Sequence, residues 1–140
     1  METRRLSWIL GNSPARFVTE LAAPVMAAHS ITIIRPPEKT LVMVKMRETV
    51  AGAKFYLGEM LASEAMVELE GFKGFALMAG DDMDKVLSAA VLDAAVKGLP
   101  EREALTNALE AQEKRLLDEK AREKRLHARS RVRFDTLNPT

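Results

Sequence analysis

The densest group of chemically capable side chains is Asp81-Asp82-Met83-Asp84. Closely spaced carboxylates supply hard oxygen ligands, the kind that hold a divalent cation and, through it, a phosphate. The same residues open a strongly helical pattern. Asp82 suits an N-cap and Asp84 falls in the first turn, where negative charge complements the helix dipole. Capping accounts for both, so Asp81, Asp82 and Asp84 are weak metal candidates and no metal site is assigned. Glu64, Glu68 and Glu70 recur along a strand pattern. Paired carboxylates can do acid–base work, but an exposed strand also needs charge to stay single. Only His29 and His127 represent histidine, and there is no cysteine. Disulfides and thiolate metal sites are excluded, and no Ser/His/Asp or Cys/His set can be assembled. His29 reads as a boundary residue near a helix C-terminus. Gly71 and Gly74 sit as hairpin glycines, outside any phosphate-loop or dinucleotide motif. No catalytic residue and no cofactor is expected.

Basic residues are unevenly placed. Residues 113–133 hold nine Lys or Arg and four Asp or Glu, a local balance of +5, within a chain of net charge +1. A mildly acidic body thus carries a basic C-terminal arm, which suits an acidic partner surface, a phosphate-bearing ligand or nucleic acid. Nucleic acid is the least favoured, because no aromatic residue interleaves the basic run before Phe134. Two readings from other classes stand beside a binding role. One is a stand-alone metal-dependent phosphate enzyme using the aspartates; the other is a nucleic-acid module using the arm.

These residues need a scaffold, and 140 residues with 47% apolar content can build one core. Sparse aromatics and eight methionines predict an aliphatic, adaptable interior. No apolar run approaches a membrane span, and the N-terminal stretch lacks a signal-peptide pattern, so a cytoplasmic protein is expected. Leu6, Ile9 and Leu10 predict a first helix ending at Gly11-Asn12. Ser13-Pro14 predicts the start of a second, with Ser13 as N-cap, a buried stripe of Phe17, Leu21 and Val25, and a kink or end at Pro24. Ile31–Ile34 reads as a short strand, Arg35-Pro36-Pro37-Glu38 as a loop, and Leu41–Arg47 as a further strand.

The centre of the chain is Lys54 to Asp82. Ala65, Val67 and Leu69 alternate with Glu64, Met66, Glu68 and Glu70, which predicts one buried and one wet row. Glu70-Gly71 turns the chain into a second strand, Phe72 to Ala79. The helix from Met83 to Ala94 carries a stripe of Met83, Val86, Leu87, Ala90, Val91 and Ala94, with Ser88 off it, and Gly98 closes it. It should cover the sheet face bearing Leu41 and Met43, unless another subunit does. A long charged helix follows from about Pro100 to about Arg129. The expected class is α+β: a mostly antiparallel sheet of about four or five strands, N-terminal helices, a packed helix and a long charged C-terminal helix. Residues 1–110 form the body and 111–140 an arm and tail of the same domain. Arg129, Ser130, Arg131, Val132, Phe134 and Leu137, read as an extended segment, are expected to dock on a partner, with Arg131 and Phe134 as anchors. Arg35, Arg47 and Lys54 are candidate ligand contacts.

The ordered set Arg35–Val42, Phe55–Glu59, Gly71–Asp82 and Ser130–Leu137, with Arg5-Leu6-Ser7-Trp8 and Asp93-Ala94-Ala95, resembles the PhnG family of the phosphonate carbon–phosphorus lyase system. The resemblance implies a small α+β subunit of a hetero-oligomer with PhnH-, PhnI- and PhnJ-type partners. It also implies a part, with PhnI, PhnH and PhnL, in moving a phosphonate to the ribose C1 of ATP with loss of adenine. It carries no catalytic residues, and an isolated chain is free to self-associate. Two positions depart from the family pattern: Ser63-Glu64 stands for a Thr-Arg pair, and Gly80-Asp81-Asp82 for Gly-Arg-Asp.

Overall fold

The computed structural model describes the backbone of residues 1–47 and 54–137, and the side chains of residues 1–45 and 58–128. Helices α1 (Thr3–Asn12) and α2 (Ala15–Ala28) precede strands β1 (Thr32–Arg47), β2 (Lys54–Leu69) and β3 (Phe72–Ala79). Helices α3 (Met83–Gly98) and α4 (Arg102–Leu137) follow. The class is α+β, with an antiparallel sheet ordered β1-β2-β3.

Among the described residues the sheet has three strands, where four or five were expected. The difference lies at Arg35-Pro36-Pro37-Glu38, which is part of β1 and no loop. Register shifts between Ile33 and Arg35, and between Arg35 and Glu38, absorb the two prolines. Because β1 is an edge strand, one of its sides needs no backbone donor, and proline is tolerated there.

The alternation read in β2 holds: Ala65, Val67 and Leu69 are fully buried. Leu69 pairs with Phe72, leaving Glu70-Gly71 as a two-residue loop with φ of 48° and 83°. Two positive φ values match the twist of an antiparallel hairpin. Glycine takes this region freely; Glu70 does so against its Cβ.

Helix α3 is the centre of the fold. It packs on β3 and β2 with one side and on α2 and α4 with others. Its burial therefore exceeds one stripe: Ser88, Ala89, Leu92, Asp93 and Ala95 are buried with Val86, Ala90, Val91 and Ala94. Ser88, expected off the buried stripe, is inside. Asp82 caps the helix by accepting from the Lys85 backbone N–H at 3.0 Å. Two α3 side chains also close the free edge of β3. The Phe75 N–H donates to Asp93 Oδ2 at 2.9 Å, and Lys97 donates to the Lys73 carbonyl. An edge so occupied cannot template another strand at these residues.

The N-terminal helices differ in detail from expectation. Pro14, and not Ser13, holds the N-cap position of α2. The buried Ser13 hydroxyl instead donates to the Ile9 carbonyl at 2.6 Å and accepts from Gln112 Nε2 at 3.1 Å, tying α1 to α4. Pro24 lies within α2, which continues to Ala28. The buried line of α2 is Val18, Ala22 and Val25, with Phe17 and Leu21 on its flank. A stripe centred one position later still uses helical spacing; it simply faces α3 through smaller residues.

Candidate functional site

The acidic groups named from the sequence do not converge on a reaction centre. Asp82 is occupied as a cap, and among the described residues no three His, Cys, Asp or Glu side chains are grouped to hold a metal ion. Glu64 accepts from Arg35 Nη1 at 3.2 Å. The Arg35 side chain keeps 49% of its surface exposed beside that contact. Glu68 stands opposite Lys73 in the strand register. The side chains of Arg47 and Lys54 lie outside the described residues.

Glu70 belongs to a cluster that the sequence did not disclose. His29 ends α2, and its ring sits between two carboxylates. Nε2 is 2.8 Å from Glu101 Oε1, and Nδ1 is 3.4 Å from Glu70 Oε1. One imidazole thus joins the end of α2, the β2–β3 turn and the approach to α4. The two carboxylates lie on opposite ring nitrogens, so the arrangement is a clamp on the histidine. Its hydrogen bond to Glu101, helped by the one to Glu70, raises the His29 pKa against the opposing effect of desolvation. The same bond lowers that of Glu101.

A raised histidine pKa gives stability that is complete below its unfolded value and lost as pH rises through the folded one. A lowered glutamate pKa gives stability that is complete above its unfolded value and lost as pH falls. The clamp should contribute most between roughly pH 4.3 and 6.5, the ordinary values of the two groups. Thermal unfolding of the protein and of His29→Gln across pH 4 to 9 checks this. The difference in midpoint should peak inside that window and shrink by pH 8.5; a constant difference would contradict it.

The surface divides into two projecting features. The first is α4. Leu105, Leu109 and Gln112 are buried against the body, and Leu116 packs on the core. Arg5 grips Glu113 with both Nε and Nη2, at 2.7 and 2.6 Å, and holds its carboxyl below the usual range. Lys120 Nζ lies 5.9 Å from the centre of the Trp8 ring. Residues 121–128 are all exposed. The backbone stays helical through Leu137, so Arg129, Ser130, Arg131, Val132, Phe134 and Leu137 lie on helix. The extended conformation expected for them is corrected accordingly. Their side chains lie outside the described residues.

The second feature is the far half of the β1–β2 hairpin. β3 reaches only Ala62 on β2, whereas β2 continues to Lys54 paired with β1 alone. Leu41 is 63% exposed and Met43 57%. Of the two covers expected, α3 is excluded, because they lie beyond the end of β3, on which α3 mainly rests, and another subunit is the alternative left.

Fold and surface together define a small α+β domain with two projecting elements and no grouped metal ligands among its described residues. The chain belongs to the PhnG family: residues 2–138 match the family described as phosphonate metabolism protein PhnG. No individual curated protein matches the chain.

Proposed function

We propose that this chain is an accessory, non-catalytic subunit of the phosphonate-activating assembly of the carbon–phosphorus lyase pathway. The observation that carries this reading is the family match across nearly the whole chain. In that assembly, PhnI, PhnH and PhnL act with it on ATP and methylphosphonate. The bond between ribose C1 and adenine breaks, a bond from C1 to a phosphonate oxygen forms, and adenine leaves with a proton. The product is ribose 1-methylphosphonate 5-triphosphate. PhnI, PhnH and PhnJ-type subunits are the partners, in the cytoplasm; among the described residues no helix is long and apolar enough to cross a membrane.

On this reading residues 1–110 are the body and 111–140 the docking arm and tail. The arm is anchored by Gln112, Glu113 and Lys120 before it projects. Arg129, Ser130, Arg131, Val132, Phe134 and Leu137 meet the partner, and Arg35, Arg47 and Lys54 are the ligand contacts. The capping role of Asp82 supports reading Asp81, Asp82 and Asp84 as structural.

The purified chain, given ATP, Mg²⁺ and methylphosphonate, should release no adenine above a protein-free control by chromatographic assay. Sustained turnover by the isolated chain, abolished by Asp81→Asn, would replace the accessory role with the metal-dependent enzyme.

A further inference from the structure

We infer that the β1–β2 ribbon beyond β3 inserts into an apolar cleft of a different subunit, rimmed by carboxylates. This rests on the proposed function and names a contact surface separate from the C-terminal arm. The ribbon comprises residues 41–47 of β1 paired with residues 54–61 of β2. Leu41 faces Leu61 across the pair, and Val42 faces Met60. Neighbouring positions alternate in side, so apolar residues occupy both faces of the ribbon. Leu41 and Met43 are more than half exposed, and Leu61 and Met60 are each 42% exposed. A two-stranded ribbon without a third strand or a covering helix is marginal in water. Apolar residues left on both of its sides therefore mark a contact and not a free surface.

Area decides the kind of occupant. Strand rise and spacing make the ribbon roughly 25 Å long and about 10 Å wide, so one face offers on the order of 250 Å². A stable specific interface takes about 800 Å² from each partner. One face falls far short. Both faces with the free edges reach on the order of 600 Å², which leaves only a small share for adjoining residues. A second copy of the chain does not fit this requirement. Pairing edge to edge through β1 leaves both faces bare, and stacking face to face leaves one bare. Only a cleft with two walls covers Leu41 and Met60 together. Charge points the same way. The ribbon strands carry Lys45, Arg47 and Lys54 against Glu59, and with Glu48 in the connection the ribbon is still net positive. A carboxylate rim complements that sign.

A photo-crosslinking amino acid placed singly at Leu41 and at Met60, in the full chain co-expressed with the PhnH, PhnI and PhnJ-type subunits, tests the insertion. Both positions should crosslink to one and the same chain, different from this one. Leu41→Asp and Met60→Asp should each cut co-purification at least tenfold with an unchanged unfolding midpoint, since neither side chain is buried at home. Crosslinks to a second copy, crosslinks from one face only, or full co-purification of both variants would overturn the inference. If the unaltered tagged chain captures no partner, the proposed function fails first, and the insertion falls with it.

Discussion

Gly74→Ala should lower the unfolding free energy by about 3 kcal/mol, at the upper end of what overpacking a tight core costs. The reason lies in how closely α3 rests on the sheet. A Cβ at Gly74 would overlap the Ala90 carbonyl and would stand 2.7 Å from the Ala94 backbone nitrogen. Both obstacles are backbone atoms, so no side chain can turn aside. The φ of Gly74 is not in the left-handed region; the residue is needed for space and not for conformational freedom. Relief would require α3 to lift from β3, which strains the Asp93–Phe75 and Lys97–Lys73 bonds on the same helix. Chemical denaturation of the protein and of Gly74→Ala, with Gly11→Ala as a control, measures this. Gly11 has open space where its Cβ would stand. A loss at position 74 below 1 kcal/mol would show that the helix–sheet contact is softer than it looks.

Gly74 also shows where sequence reasoning reaches and where it stops. The glycine is visible in the β3 run, yet nothing in its neighbours says that a helix some sixteen residues later will lie on it. Local signals did well. Alternation placed Ala65, Val67 and Leu69 inside, Glu70-Gly71 marked the hairpin, and Asp82 marked the α3 cap. Signals that depend on neighbours in space did less well. Pro36-Pro37 is a break in a central strand and harmless in an edge strand, and edge position is a property of the sheet. Ser13 is an excellent cap by type, but Gln112 and Ile9 claim its hydroxyl.

The same contrast governs the site. The absence of cysteine and the scarcity of histidine are plain in the sequence, and they limit which side-chain sets can be assembled. The clamp of His29 by Glu70 and Glu101 was not legible, since its members are separated by 41 and 72 residues. The only sequence hint was a glutamate at the first position of a tight turn, where glycine or asparagine is easier. The exposure of Leu41 and Met43 was likewise hidden. Their period-two pattern is that of a buried strand, and only the early stop of β3 leaves them uncovered.

The second large effect concerns assembly. Helix α4 is anchored on the body as far as Lys120, through Leu109, Gln112, Glu113 and Leu116, and the arm projects beyond that point. Cutting after Glu110 would remove the Ser13–Gln112 and Arg5–Glu113 links and confuse folding with docking. Cutting after Ala121 removes only the projecting part. Residues 122–128 are exposed, so the shortened chain should keep its unfolding midpoint. It should nevertheless lose the partner, because Arg131 and Phe134 go with it, and arginine and aromatic anchors carry most of an interface's energy. The most direct measurement is therefore quantitative co-purification of the tagged full chain and of the chain ending at Ala121, each co-expressed with the PhnH, PhnI and PhnJ-type subunits. The full chain should bring these subunits down, and the shortened chain, equally stable, should bring down less than a hundredth as much. Capture by the shortened chain at full strength, or no capture by the full chain, would contradict the docking role.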